Sequence, residues 1–158
     1  MSERERLRMT DDEIKAHLDA CHRMQVATLD ADGSPHVVPL AYMWFDGELA
    51  FWTDPESRKV RNLRRDPRIA CLIETGEGVD ELRAVQITGR AEVIDDLETS
   101  RRAGEALTTR YSGPLDDAGR KWVESLAPVR VVVIVRPERV VSWDHRKRAG
   151  VGLEDLGR

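Results

Sequence analysis

Cysteine is nearly missing from this chain: Cys21 and Cys71 are the only two among 158 residues, and they form no Cys-x-x-Cys pair. That spacing supports neither a zinc site nor a disulfide framework. Cys71, inside Ile69-Ala70-Cys71-Leu72-Ile73, reads as a small core residue. Long apolar runs are also lacking. The longest, Val37–Phe45, is interrupted by Pro39 and falls well short of a membrane span. The amino terminus, Ser2-Glu3-Arg4-Glu5-Arg6, has mixed charge with no apolar stretch behind it, so no signal peptide is expected and the chain is read as cytoplasmic. A basic excess is absent as well: 25 Lys+Arg stand against 29 Asp+Glu, a net charge of −4, which argues against nucleic acid as a partner. Neither G-x-G-x-x-G nor G-x-x-x-x-G-K-[ST] occurs, so Rossmann and P-loop nucleotide sites are unsupported. H-E-x-x-H, Cys/His clusters and G-x-S-x-G are missing too, which leaves no metal centre and no serine nucleophile in a recognisable setting. No side chain stands out for acid–base or covalent catalysis. If the chain is an enzyme, a bound cofactor carries its chemistry.

What is present is one domain's worth of alternating strands and short helices; residues 1–9 and 148–158 read as flexible tails. Thr10-Asp11-Asp12-Glu13 forms a capping box for a helix that ends near Cys21, with His17 and His22 along its surface. Met24–Asp30, His36–Phe45 and Glu48–Thr53 read as antiparallel strands joined at Asp32-Gly33 and Asp46-Gly47, both hairpin signals. Strands at Arg68–Glu74 and Leu82–Ile94 follow, the second with Gly89 marking a bulge or a close backbone approach. Helices are expected at Leu97–Arg110 and Asp116–Leu126. Val129–Val135 is almost continuously β-branched, as in a strand buried on both faces. Pro137 is expected to turn the chain into a last strand, Arg139–Trp143. The sum is an α+β protein, mainly β, with an antiparallel barrel and flanking helices.

The stretch Phe51–Arg68 concentrates the functional signal. Asp54 reads as a helix cap and Pro55 as the first helical residue; Asp66-Pro67 stops the helix. Arg58, Lys59, Arg61, Arg64, Arg65 and Arg68 make a basic island in an acidic chain. Taken alone, such a run reads as a solvated helix face, with Val60 and Leu63 turned to the core. The hydroxyls of Thr53 and Ser57 at the helix start also suit a phosphate. Asp54 and Glu56 oppose that reading, because they would repel an anion.

An ordered set of segments resembles a known superfamily. Met24-Gln25-Val26-Ala27-Thr28-Leu29, Asp32-Gly33-Ser34-Pro35-His36-Val37-Val38-Pro39, Phe51-Trp52-Thr53, Ser57-Arg58-Lys59-Val60-Arg61-Asn62-Leu63 and Asp66-Pro67-Arg68 are similar to the pyridoxamine-phosphate-oxidase-like flavin/deazaflavin split barrels. Within it, the similarity is greatest to the actinobacterial oxidoreductases that use coenzyme F420. Val85–Ala91 and Val140–Trp143 resemble two further strands of that fold. The resemblance implies a six-stranded antiparallel split β-barrel, a homodimer with cofactor sites at the interface, and hydride transfer between a bound deazaflavin and a small unsaturated substrate. It also implies the site: Thr53, Ser57, Arg58 and Lys59 around the cofactor phosphate, and Val38, Pro39, Leu40 and Ala41 beside the ring. Gln86 would approach from the partner subunit, Trp143 would close the pocket, and Arg61 and Asn62 would meet the cofactor's anionic tail. FMN in place of F420 is the alternative within the fold; a non-catalytic flavin, deazaflavin or haem binder is the alternative outside enzymes. The tail Asp144-His145-Arg146-Lys147-Arg148 departs from the substrate-binding signature of true pyridoxamine-phosphate oxidases, which puts pyridoxine phosphate in doubt as substrate. Light scattering after size-exclusion should return twice the 17.9 kDa chain mass; a stable monomer would remove the interface pocket.

Overall fold

The computed structural model describes residues 2–148. Helix α1 (Glu3–Leu7) and helix α2 (Asp11–Ala20) precede strands β1 (Arg23–Leu29), β2 (Pro35–Ala41), β3 (Met43–Phe45) and β4 (Glu48–Thr53). Helix α3 (Arg58–Arg65), strands β5 (Arg68–Thr75) and β6 (Arg83–Ile94), helices α4 (Leu97–Ser112) and α5 (Asp117–Leu126), and strand β7 (Val131–Asp144) complete the order. The strands form one curled antiparallel sheet in the order β2-β1-β5-β6-β7-β4-β3, a half-barrel with flanking helices. No helix among the described residues is long and apolar enough to cross a membrane.

Local chemistry explains much of this. Thr10 and Glu13 cap α2 reciprocally, each side chain accepting the other's backbone N–H. Asp46 and Gly47 both adopt positive φ, 50° and 81°, which a two-residue hairpin with matching twist requires. Along β7 the β-branched run splits its burial. Val131, Val133 and Val135 enter the cluster inside the curl with Met24, Val26 and Phe51. Val132 and Ile134 face the opposite way, into a second cluster with Met43, Phe45 and Ala103. Trp52 wedges into that second layer. Its indole N–H donates to Ser100 Oγ at 2.8 Å, and its ring meets Trp122 edge-on at 5.6 Å. Gly104 is what admits it, since a Cβ there would lie 2.9 Å from the Trp52 ring and 2.9 Å from Val123.

Four sequence expectations are corrected. The sheet of the described residues has seven strands, not the six that the resemblance implies: the segment His36–Phe45 breaks at Tyr42 into β2 and β3, while the segments Val129–Val135 and Arg139–Trp143 are one strand, β7. At Tyr42 the backbone N–H donates to the Tyr111 hydroxyl at 3.3 Å, and the buried phenol donates to the Leu18 carbonyl at 2.6 Å. Pro137 does not turn the chain; β7 runs through it. The register shifts between Thr88 and Gly89, with Gly89 opposite Pro137, and at such a bulge proline's missing N–H is tolerated. Helix α3 begins at Arg58 with Ser57 as its N-cap, not at Asp54-Pro55. The Asp54 carboxylate instead accepts the Glu56 N–H at 2.7 Å, and Ser57 Oγ donates to the Asp54 carbonyl at 2.8 Å. Within the expected amino-terminal tail, residues 3–7 are helical, Leu7 and Met9 are buried, and the Met9 N–H donates to Ser142 Oγ at 3.2 Å. The other expected tail lies, from 149 on, outside the described residues.

On the sheet face turned away from the inner core, the pairing aligns Pro39, Gln25, Leu72, Gln86 and Val141 in one row across five strands. Pro39 and Gln86 are exposed and the other three half-buried. The bulge that keeps β6 and β7 in this register should tolerate no side chain at Gly89, where a Cβ would sit 2.0 Å from the Arg136 carbonyl oxygen. Gly89→Ala is expected to cost about 3 kcal/mol or more in a urea melt, as overpacking against rigid backbone does; an unchanged midpoint would contradict the close approach.

Candidate functional site

The basic island is built on α3, which runs from a turn after β4 and packs Val60 and Leu63 into the core. Its fixing point is Asp30, just past β1. Arg58 grips that carboxylate with two groups, Nε at 2.8 Å from Oδ1 and Nη2 on Oδ2. Asn62, 3% exposed, donates to Thr28 Oγ1 at 3.1 Å and to Asp30 Oδ1 at 2.9 Å. Hydrogen bonds from Arg58 and then Asn62 pull the Asp30 carboxyl down to about 2. Arg61 donates to the Glu56 carbonyl, Arg64 pairs with Asp95, Arg65 donates to the Leu29 carbonyl and to Asn62 Oδ1, and Arg68 pairs with Asp66.

Lys59 stands apart from this. Among the described residues its amine has no acid within ion-pair distance. It is half-buried, and burial lowers its pKa, with Arg130 adding repulsion and Asp54 partly opposing. Arg130 directly precedes Val131, the register partner of Thr53, so Thr53, Lys59 and Arg130 gather at one end of β4. The helix start beside them is unusual too. Helices α1, α2, α4 and α5 each have a side-chain oxygen accepting a first-turn N–H. Ser57 makes no such bond, so the first N–H groups of α3 keep their partial positive charge. Uncapped amides, a desolvated amine, a guanidinium and the Thr53 hydroxyl are donors of the kind that a phosphate monoester takes, whereas the Ser57 hydroxyl proton is given to the Asp54 carbonyl.

The remaining sequence candidates fall elsewhere. Val38 and Leu40 are half-buried on β2, and Leu40 packs on the inner core. Pro39 lies on the outer row with Gln86. Ala41, at the end of β2, lines a groove against α4 and α5. Gln86 and Trp143 share a cleft of about 770 Å³ with α1 that contains none of Thr53, Ser57 or Lys59. Within one chain, therefore, the candidates do not converge on one cavity. Arg58 and Asn62 are committed to Asp30, and Asn62 is closed off from solvent. Arg130 went unnoticed in the sequence, where nothing local marks it; only the β4–β7 pairing brings it to Lys59. His17, expected on the helix surface, is instead buried. Its Nε2 lies 3.1 Å from the Ile73 carbonyl, and burial lowers its pKa. Cys71 is a core residue as expected, its thiol pushed up to about 12 by burial.

Known proteins resemble this chain in sequence and in fold. The profile of the pyridoxamine 5'-phosphate oxidase family matches residues 10–144. An F420H(2)-dependent biliverdin reductase from Mycobacterium tuberculosis is 33% identical over 138 residues, 85% of this chain and 88% of that protein. A pyridoxine/pyridoxamine 5'-phosphate oxidase from Cupriavidus taiwanensis is 34% identical over 93 residues, 58% of this chain. The match spans only 42% of that oxidase's length. The crystal structure of a conserved hypothetical protein from Mycobacterium tuberculosis superposes with a TM-score of 0.86 at 36% identity, covering 94% of this chain and 92% of the other.

The Asp30 anchor has a pH signature. A carboxylate whose pKa falls from 3.8 to about 2 on folding stabilises the native state above pH 3.8, and that contribution is lost as pH drops toward 2. Urea midpoints should fall across that window in the native chain and fall less in Asp30→Asn. Equal slopes in the two proteins would show that the anchor does not form.

Proposed function

The chain belongs to the pyridoxamine 5'-phosphate oxidase family, and from that premise we propose an oxidoreductase that binds a deazaflavin, coenzyme F420, and moves hydride between it and a small unsaturated organic substrate. The observation that carries the reading is Lys59: a half-buried amine that, among the described residues, has no acid within ion-pair distance and stands at the one α-helix start that no side chain caps. Burying a cation is unfavourable unless an anion joins it, and a cofactor phosphate supplies that anion. Thr53 Oγ1 adds a hydroxyl donor, Ser57 Oγ would join it on releasing the Asp54 carbonyl, and Arg130 adds a second cation.

The ring would lie along Val38–Ala41 of β2. A second copy of the chain would bring its own Gln86 and Trp143 to that ring. This would account for the separation of the candidates within one chain and for the row Pro39-Gln25-Leu72-Gln86-Val141 left open on the outer face. The bound cofactor supplies the hydride chemistry. The protein's part is to neutralise the phosphate, to fix the ring plane against a rigid strand, and to exclude water between two sheet faces. No side chain is assigned as proton donor; solvent serves that role.

FMN is the second reading, because a phosphate cradle suits either cofactor and one matched relative bears the name of an oxidase of pyridoxine 5'-phosphate. Purified protein mixed with each cofactor separates them. Yellow colour retained through gel filtration assigns FMN; saturable change in deazaflavin fluorescence with no FMN uptake assigns F420. Lys59→Ala should weaken binding of the correct cofactor by about 1.5–3 kcal/mol, the range for a charge-assisted hydrogen bond. Unchanged affinity would return the basic island to a solvated helix face.

A further inference from the structure

A groove of about 480 Å³ lies between α4 and α5 and opens at Ala41, the last residue of β2. Leu107, Tyr111, Pro114, Ala118 and Trp122 supply its apolar and aromatic walls. Trp122 is 47% exposed, far more than its partner Trp52, so its outer face is apolar surface with no intramolecular use. The walls are held rigidly. Trp122 rests edge-on against Trp52, and the Tyr111 hydroxyl donates to the His22 carbonyl while accepting the Tyr42 N–H.

The polar groups of the groove are mostly engaged. Thr108 Oγ1 donates to the Gly104 carbonyl at 2.7 Å, and Asp116 caps α5 by accepting the Gly119 N–H at 2.7 Å. No Lys, Arg or His lines the groove. Arg110, Arg120 and Lys121 adjoin the lining in sequence, and none of them is among its residues. Arg120 pairs with Asp117 at 3.7 Å, and Arg110 is taken up elsewhere. Its Nη2 donates to the carbonyls of Leu18, Asp19 and Cys21, closing the end of α2. Its guanidinium carbon stands 4.8 Å from the Tyr42 ring centroid. An anionic ligand would meet the Asp116 carboxylate and no cation among the described lining residues.

We propose that this groove is the substrate subsite and that it takes an uncharged, planar, aromatic or conjugated molecule, held between Trp122 and Tyr111 with one edge toward Ala41. The assignment rests on the reading of β2 as the strand beside the cofactor ring. It excludes phosphorylated and carboxylated substrates from the groove, pyridoxine 5'-phosphate among them.

A matched pair of probes tests it on the full-length chain: 2-naphthol, uncharged at pH 7, and naphthalene-2-carboxylate, titrated by calorimetry with and without coenzyme F420. The uncharged probe should bind saturably and about ten-fold or more tighter than the carboxylate, a difference of about 1.4 kcal/mol. Trp122→Ala should weaken 2-naphthol about ten-fold, as loss of an aromatic wall does. Ala118→Phe, at an exposed helix position, should fill the groove and weaken it comparably, while Lys59→Ala should leave it unchanged. Equal binding of the carboxylate, or 2-naphthol binding indifferent to Ala118→Phe, would overturn the assignment. So would a change of oligomeric mass in Ala118→Phe, which would make the groove a contact between copies. Because the titration does not require the cofactor, loss of the groove signal with deazaflavin binding intact overturns this inference alone. Naphthol binding without deazaflavin binding overturns only the cofactor reading.

Discussion

Asp30 decides which parts of the basic island remain available to a ligand. Its carboxylate accepts from Arg58 and Asn62, which ties α3 across the end of β1 and fixes where the helix begins. Each of the other arginines then finds a carbonyl or a carboxylate within the chain: Arg61 on Glu56, Arg64 on Asp95, Arg65 on Leu29, Arg68 on Asp66. Six basic residues thus reduce to one unsatisfied cation, Lys59. Exposed ion pairs of the Arg58 and Arg68 kind contribute little on their own. Their larger effect here is to remove competitors, so that an incoming anion meets one amine in a defined place.

The acids at Asp54 and Glu56, which looked hostile to an anion, fit this arrangement once the helix start is moved to Ser57. Asp54 closes the turn by accepting the Glu56 N–H and so shapes the loop that leads into α3. It still lies near enough to Lys59 to raise that amine's pKa against the effect of burial. A carboxylate here helps keep Lys59 charged without capping the helix. The first-turn amides, which a capping side chain would have satisfied, are left to the ligand.

Features fixed by a few adjacent residues were legible in the sequence. Thr10 with Glu13, Asp46 with Gly47, and the bulge at Gly89 each followed from a requirement of the local backbone. What escaped needed a partner distant in the chain. Tyr42 leaves the sheet because Tyr111, from α4, takes its N–H. Pro137 stays inside a strand because Gly89, on β6, lets the backbones meet. Ser57, not Asp54, starts α3 because Asp30 and the core burial of Val60 set where the helix can sit. The same division holds for the site. Lys59, Thr53 and Ser57 lie within seven positions of one another and could be read as a cradle, whereas Arg130 joins them only through β4–β7 pairing, and the α4–α5 groove brings together residues from three separate segments.

Charge separates the two proposed binding places, the β4–α3 junction and the α4–α5 groove. At the β4–α3 junction Lys59 is half-buried and, among the described residues, has no acid within ion-pair distance, which favours an anion there over a neutral group. Along α4 the available cation, Arg110, is spent on three backbone carbonyls and a tyrosine ring, which leaves Asp116 as the groove's only charge. A molecule carrying its own phosphate gains at the first place and loses at the second. A flat uncharged molecule gains at the second and has little to offer the first. On the proposed reading, cofactor and substrate would be sorted by charge before either is recognised in detail. The sorting depends on Arg110 staying with the end of α2: freed from Leu18, Asp19 and Cys21, its guanidinium would lie beside the groove and make it a site for anions.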